Sequence, residues 1–369
     1  MTSLTTPIEI LRPHRIEFGA GLAPLVGRWA QERGLSRILV VAGRSNAARV
    51  DQLGLKGEVT IFGEVKPEPD IPNLEAALAL AARVKPDLVI GFGGGSALDL
   101  AKLVAVLPGS GQSIHDVVGP EKVAGRRVAL VQVPTTAGTG SEAGTRALVT
   151  DPATQAKLAV QSRHMLADLA VVDPDLMLSV PQAVTAATGV DALAHCAEAL
   201  TSKRAHPLID LYALEGIRLV GRFLPRAVAD GTDREARAGL ALASLYGGYC
   251  LGPVNTTAGH AVAYPLGTRH HVAHGLACAV IFPHTLAFNA PAQPEKTALT
   301  LAALGVKDAD GAHGWCAALG IEMRLGRLGV PESDLPAMAR DAHAIRRLLD
   351  FNPRDISEAE ILAMYRRAL

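Results

Sequence analysis

In the segment GVDALAHCAEAL (189–200), Asp191 and His195 stand four residues apart. A helix puts such a pair on one face, where a carboxylate oxygen and an imidazole nitrogen can reach the same cation. Further on, GHAVAYPLGTRHHVAHG (259–275) contains His260, His270, His271 and His274, four of the twelve histidines of the chain. One histidine alone reads as a core or surface residue, and Asp191 with His195 reads equally as a hydrogen-bonded pair. Taken together, the two segments point to a bound metal. A carboxylate with several imidazoles suits Fe(II) or Zn(II), which accept nitrogen and oxygen, whereas Mg(II) or Ca(II) calls for more oxygens. The residue types leave open which histidines ligate and which of the two metals is taken.

A second set of residues could hold a phosphate. Gly93, Gly94 and Gly95, followed by Ser96, stand where an apolar run hands over to a helical one. Without a Cβ the backbone amides of such a turn approach phosphate oxygens closely, and a helix N-terminus adds partial positive charge. The pattern is neither GxGxxG nor a Walker loop. A tight turn that merely needs small residues is the competing reading. Asp99 and Lys102 follow at helical spacing, either as a local ion pair or as ligand-facing groups. PTTAGTGSE (134–142) supplies the hydroxyls of Thr135, Thr136, Thr139 and Ser141 beyond another apolar run, a location where ligands collect in open α/β sheets.

The elements that must position these residues differ between the halves. RILVVAG (37–43), VTIF (59–62), DLVIGFGGG (87–95), RVALVQVP (127–134) and LAVVD (169–173) alternate with helical segments, which predicts a parallel, helix-covered sheet. PNLEAALALAARV (72–84) is expected to be a helix with Pro72 in its first turn, and SALDLAKLVAVL (96–107) a helix with Ser96 as N-cap. After Pro174, Ala- and Leu-rich segments at 181–202, 206–223, 233–251, 257–266 and 273–288 predict an all-helical half. We therefore expect an α/β dinucleotide-binding domain over residues 1–178 and a helical metal and substrate domain over 179–369, with the boundary between Asp173 and Ser179.

Composition narrows the function class. Lys plus Arg (36) equals Asp plus Glu (36), so no strong net field recruits nucleic acid or an anionic membrane. No stretch is long and apolar enough to span a bilayer, and MTSLTTPIEILRPHRIEFG lacks a leader pattern. Cys196, Cys250, Cys278 and Cys316 form no CxxC and are too few to staple this chain. A soluble, unprocessed, cytoplasmic protein with reduced thiols is expected, acting on a small molecule.

The strings GGGSALDLAK, PTTAGTGSE, GVDALAHCAEAL and GHAVAYPLGTRHHVAHGLACAVIFPH, in this order, resemble the iron-containing alcohol dehydrogenases, within the wider dehydroquinate synthase-like fold. The likeness covers nearly the whole chain. It implies metal ligands at Asp191, His195, His260 and His274, and leaves His270 and His271 as loop or pocket residues. His284 is read as structural. The resemblance further implies that Gly94, Gly95 and Ser96 meet a pyrophosphate, that Thr135, Thr136 and Thr139 lie along the dinucleotide, and that Lys157 approaches the nicotinamide ribose; Gly43 and Asp99 belong to the same expected cofactor set. A homodimer is implied by the family alone.

Two departures from the family pattern stand out. Where relatives preferring NAD carry Asp after the strand equivalent to RILVVAG, this chain has Gly43 and Arg44, which removes repulsion against a 2′-phosphate and opens the site to NADP. Tyr264 replaces a His found near the nicotinamide in many relatives, so a proton path through that His does not carry over; a water, Tyr264 or His270 would relay instead. The expected chemistry is hydride transfer between nicotinamide and an alcohol, aldehyde or ketone, with Fe(II) or Zn(II) lowering the pKa of the alcohol oxygen or polarising the carbonyl. Maleylacetate reductase is the alternative within the oxidoreductases, and retention of Asp191 and three histidines argues against it. Dehydroquinate synthase, a lyase whose metal shell resembles Glu plus two His, is the alternative from another class. A nucleotide-sensing or scaffold protein would leave the metal site idle.

Overall fold

In the computed structural model, which describes residues 4–369, the β-branched runs of the first half pair side by side as strands. In chain order the elements are β1 (Ile16–Phe18), α1 (Leu25–Glu32), β2 (Arg37–Ala42), α2 (Arg44–Ala47), β3 (Glu58–Phe62), α3 (Ile71–Val84), β4 (Leu88–Gly93), α4 (Gly95–Val106), β5 (Gly119–Pro120), β6 (Ala129–Pro134), β7 (Arg146–Asp151), β8 (Ala156–Gln161) and β9 (Leu169–Val172). The main sheet has the order β1-β9-β6-β4-β2-β3 and every neighbour is parallel. Its inner strands are buried almost throughout, which is why they read as continuous apolar runs rather than alternating ones. Parallel direction brings the C-terminal ends of β2, β4 and β6 to one edge, where Gly43, the Gly93–Ser96 turn and Thr135 emerge.

Two features differ from the sequence reading. β7 and β8 form an antiparallel hairpin, joined by β5 into a second, three-stranded sheet. Their strings, RALVTD and AKLAVQ, mix Ala, Leu and charged residues, and only the tertiary partner turns the half-buried alternation of β7 into a strand signal. Ser96 does not cap its helix. The cap falls two residues earlier, at extended Gly94, and Ser96 Oγ instead accepts the Glu68 amide at 3.3 Å. α3 starts as expected, with Pro72 in its first turn and Asp70 accepting from the Asn73 amide at 2.8 Å.

The second half is helical: α5 (Gln182–Thr201), α6 (Pro207–Ala229), α7 (Arg234–Leu251), α8 (Ala258–His270), α9 (His274–Asn289), α10 (Pro294–Leu304), α11 (Ala309–Ala318), α12 (Leu335–His343), α13 (Arg346–Leu349) and α14 (Glu358–Ala368). α5 is apolar on nearly every face because α6, α7 and α9 all pack on it. The chain divides into two compact units, one of residues 11–136 and 140–179, the other of residues 4–10, 137–139 and 180–369. Residues 4–10 and Ala137–Thr139 thus group with the helices although they precede the boundary expected near residue 178. Among the described residues no helix is long and apolar enough to cross a membrane.

The glycine turn is held by close packing of β4 on α4. A Cβ at Gly91 would lie 2.6 Å from Gln132 Oε1, 3.0 Å from Ala101 Cβ and 3.1 Å from Leu98 Cα. Gly91→Ala should therefore destabilise the protein by about 1–3 kcal/mol through overpacking, read as a lower thermal or urea midpoint; an unchanged midpoint would show that α4 moves away at no cost.

Candidate metal centre and nucleotide loop

α5 places Asp191 and His195 one turn apart in its buried stretch, α8 contributes His260, and α9 begins with His274. These side chains converge on one carboxylate oxygen. Asp191 Oδ1 lies 3.4 Å from His260 Nε2, 3.7 Å from His274 Nε2 and 3.8 Å from His195 Nε2. The His195 and His260 rings stack with centroids 4.6 Å apart. Asp191 Oδ1 and His260 Nε2 are both buried, yet neither has a hydrogen-bond partner, because their 3.4 Å approach is out of alignment for a bond. Such orphaned buried atoms are costly. A divalent cation resolves the cost, since nitrogen and oxygen donors arranged tetrahedrally around one ion at its usual bond lengths stand about 3.4 Å apart. The donor set and its spacing fit Fe(II) or Zn(II).

The cluster also shows what sequence reasoning passed over. Asp191, His260, His274 and Cys278 offer donor atoms that all lie within 4.8 Å of one another. His195 reaches Asp191 but stands outside that tightest group. Cys278 is one turn after His274, the same spacing as Asp191 and His195, which is the signal that could have found it. Glu198 was also missed, although it stands one further turn along the same face of α5. Its Oε1 is 2.6 Å from His260 Nδ1, and its other oxygen accepts from the Thr257 amide at 2.6 Å. With a cation at the centre, a carboxylate there would hold the Nδ1 proton and turn Nε2, on the side of the ring facing Asp191, to the metal. His195 is oriented similarly, its Nδ1 lying 3.3 Å from the Gly138 carbonyl. Gly259 leaves room for Glu198, whose Oε1 would be 2.5 Å from a Cβ at that position.

Charges within the cluster are coupled. Burial acts to raise the Asp191 carboxyl, but His195, His274 and His260 hold it well below its usual range. Burial pushes His195 down to about 4 against the opposing pull of Asp191. Burial also works to lower His260, where Cys278, Glu198 and Asp191 outweigh it and hold the ring well above its usual value. The remaining histidines stand apart from the cluster. His270 ends α8 with Nε2 3.5 Å from Asp334, and His271 is the left-handed residue closing that helix. His284 sits on α9 with its ring 6.2 Å from that of His313, pushed down to about 4 first by burial and then by His313. Tyr264 is buried, its ring 5.8 Å from the His274 ring.

The other expected residues are distributed as follows. α4 starts at Gly94 and Gly95 with no side chain capping it, and a Cβ on Gly94 would lie 3.1 Å from Thr136 Oγ1. A side chain at residue 94 would thus have to push the Thr136 hydroxyl aside, while the Ala97 and Leu98 amides already donate to the Gly94 carbonyl. Gly43 caps α2; Asn46 on that helix donates to Thr135 Oγ1 at 3.2 Å, while the Thr135 amide donates to the Gly93 carbonyl at 2.9 Å. Thr139 groups with the helical unit. Asp99 accepts from Ser141 Oγ at 2.5 Å and the Leu148 amide at 2.9 Å, with Lys102 at 3.6 Å. It ties α4 to the polar loop and to β7. Lys157, on β8, is ion-paired with Glu68. Arg44 lies on the exposed face with Glu64 at 3.2 Å. The buried Lys102 also donates to Ser141 Oγ and the Arg146 carbonyl, each at 2.7 Å. Nearby Glu142 is pushed up to about 7 by burial, with Lys102 opposing.

Family models cover both halves of the chain. That described as "Iron-containing alcohol dehydrogenase" matches residues 13–174, and that described as "Fe-containing alcohol dehydrogenase family, C-terminal" matches residues 185–369. The chain is 39% identical over 325 residues to long-chain-alcohol dehydrogenase 1 of Geobacillus thermodenitrificans, covering 84% of this chain and 82% of that protein. The crystal structure of a 1,3-propanediol oxidoreductase superposes with a TM-score of 0.91 at 33% identity, over 99% of this chain and 100% of the other. A sulfoacetaldehyde reductase from Bifidobacterium kashiwanohense, solved in complex with NAD+, gives a TM-score of 0.87 at 29% identity over 98% and 99%.

Two outcomes are expected from these environments. Glu198→Gln weakens the hold on His260 Nδ1 and should lower divalent-metal affinity by about 10–100-fold, measured by competition with a chelator; unchanged affinity would remove Glu198 from this role. Glu142 holds its proton more tightly folded than unfolded, so its stabilising contribution is present below its ordinary value of 4.5 and is lost as pH rises through about 7. Glu142→Gln should then be more stable than the parent at pH ~8 by about 1–3 kcal/mol, and the gain should vanish near pH ~5. Parallel melting curves with no such crossover would show Glu142 titrating normally.

Proposed function

The chain belongs to the iron-containing alcohol dehydrogenase family, and on that footing we propose that it interconverts an alcohol and an aldehyde or ketone by hydride exchange with NAD or NADP. It is an oxidoreductase. The reading rests above all on Asp191 Oδ1, buried without a hydrogen-bond partner and faced by three imidazoles. We assign Asp191, His195, His260 and His274 as the residues that hold the cation.

Bound there, Fe(II) or Zn(II) supplies Lewis acidity, lowering the pKa of an alcohol hydroxyl or polarising a carbonyl. A nicotinamide supplies the hydride acceptor or donor. The remaining work belongs to this chain's side chains. Glu198 fixes the ring of His260, and the Gly138 carbonyl fixes that of His195, so both present Nε2 at the centre without reorganising. Val262 and Leu266, fully buried on α8, keep bulk water from this part of the helix bundle. Of the two side chains that could relay the substrate proton in place of a water, Tyr264 packs beside His274 while His270 faces Asp334.

For the dinucleotide, the uncapped start of α4 at Gly94 and Gly95 offers amides to the pyrophosphate. Thr135, Thr136 and Thr139 are assigned along the cofactor, and Lys157 to its ribose. Gly43 stands at the end of β2 where an Asp would repel a 2′-phosphate, and Arg44 beside it, paired with Glu64, is the cation that phosphate would compete for, which supports NADP use alongside NAD. Relatives named for long-chain alcohols, propanediol and sulfoacetaldehyde show that substrate choice varies on this framework.

After loading with Fe(II) or Zn(II), addition of primary alcohols, diols or hydroxyacids with NAD or NADP should raise the absorbance of reduced nicotinamide. His260→Ala should lose the metal and reduce kcat by about 100-fold or more. A His260→Ala protein with full metal content and full turnover would overturn the assignment.

A further inference from the structure

The metal cluster contains one group for which the four-residue ligand set has no use. Cys278 is buried on α9, one turn beyond His274, and its Sγ lies 3.7 Å from His274 Nε2. Its sulfur and the donor atoms of Asp191, His260 and His274 lie within 4.8 Å of one another. The second observation that points to a ligand here is the pair of unpartnered buried atoms, Asp191 Oδ1 and His260 Nε2, in the same group. Cys196, Cys250 and Cys316 belong to no such group among the described residues.

We propose that Cys278 is itself a metal ligand, a sulfur donor joining Asp191 and the histidines at this centre. The proposal rests on the metal assignment above and deepens it. A cation bonded to nitrogen at about 2.1 Å and to sulfur at about 2.3 Å holds those two atoms about 3.6 Å apart when the angle between the bonds is about 110°. The separation of Sγ from His274 Nε2 matches this, as do the 3.4 and 3.7 Å separations of Asp191 Oδ1 from His260 and His274. Sγ stands farther from His274 Nδ1, at 4.0 Å, so Nε2 is the nitrogen that faces both the sulfur and Asp191. The His274 side chain is 23% exposed, the most accessible of the ligands. On binding, the thiol proton leaves to solvent and sulfur donates as thiolate. A thiolate among imidazoles softens the donor set and favours Zn(II) or Co(II) over Fe(II).

The test uses the full-length protein loaded with Zn(II) or Co(II). X-ray absorption at the zinc edge should show one sulfur neighbour at about 2.3 Å. The Co(II) protein should show a sulfur-to-cobalt charge-transfer band in the near ultraviolet beside its visible ligand-field bands. Cys278→Ser and Cys278→Ala should abolish the charge-transfer band, keep the visible bands and bind Zn(II) roughly tenfold more weakly. Cys316→Ser, a buried thiol elsewhere, should change none of these. A metal shell of nitrogen and oxygen alone, in a protein that binds the ion and turns over alcohol, overturns the role of Cys278 and leaves the dehydrogenase reading standing. Failure to bind any divalent cation overturns both.

Discussion

One buried carboxylate organises the helical unit. Asp191 is almost wholly removed from water, and the charge it carries there is tolerable only because imidazoles converge on the same oxygen. Everything around it serves that convergence. α5 is apolar on nearly every face, so that three helices clamp it, and the starts of α8 and α9 bring His260, buried like Asp191, and the partly exposed His274 to the same oxygen.

The supporting groups are as telling as the ligands. A histidine is a useful donor only if its second nitrogen is fixed, and here Glu198 fixes His260 while a backbone carbonyl fixes His195. Glu198 is itself held by the Thr257 amide, and it has room because residue 259 is glycine. The chain of dependence runs from an absent side chain to an oriented imidazole.

The α/β unit follows a different constraint, the directionality of its sheet. With every neighbour of the main sheet parallel, the loops leaving β2, β4 and β6 share one edge, and the glycine turn opens directly onto the start of α4. Asp99 was expected among cofactor contacts. The structure shows it engaged by Ser141 and the Leu148 amide, holding the polar loop against α4 and β7. Arg44, free to meet a phosphate in a sequence reading, pairs with Glu64 on an adjacent strand's loop, so any 2′-phosphate competes with a carboxylate for it.

By itself the sequence determined what local periodicity and residue chemistry can encode: a parallel-sheet half, a helical half, the glycine turn, and one carboxylate with histidines of the right kind. Those signals lie within a helical turn or a strand, where spacing maps directly onto a face. Tertiary structure alone decided the rest. That Ser96 Oγ meets the Glu68 amide, 28 residues away, instead of capping α4 is not encoded locally, and whether RALVTD is a strand depended on AKLAVQ lying opposite it. That Glu198 and Cys278 belong to the metal cluster depended on α5, α8 and α9 meeting at one point. Contacts between residues far apart in the chain are fixed by packing of whole elements, and no window of sequence contains that packing.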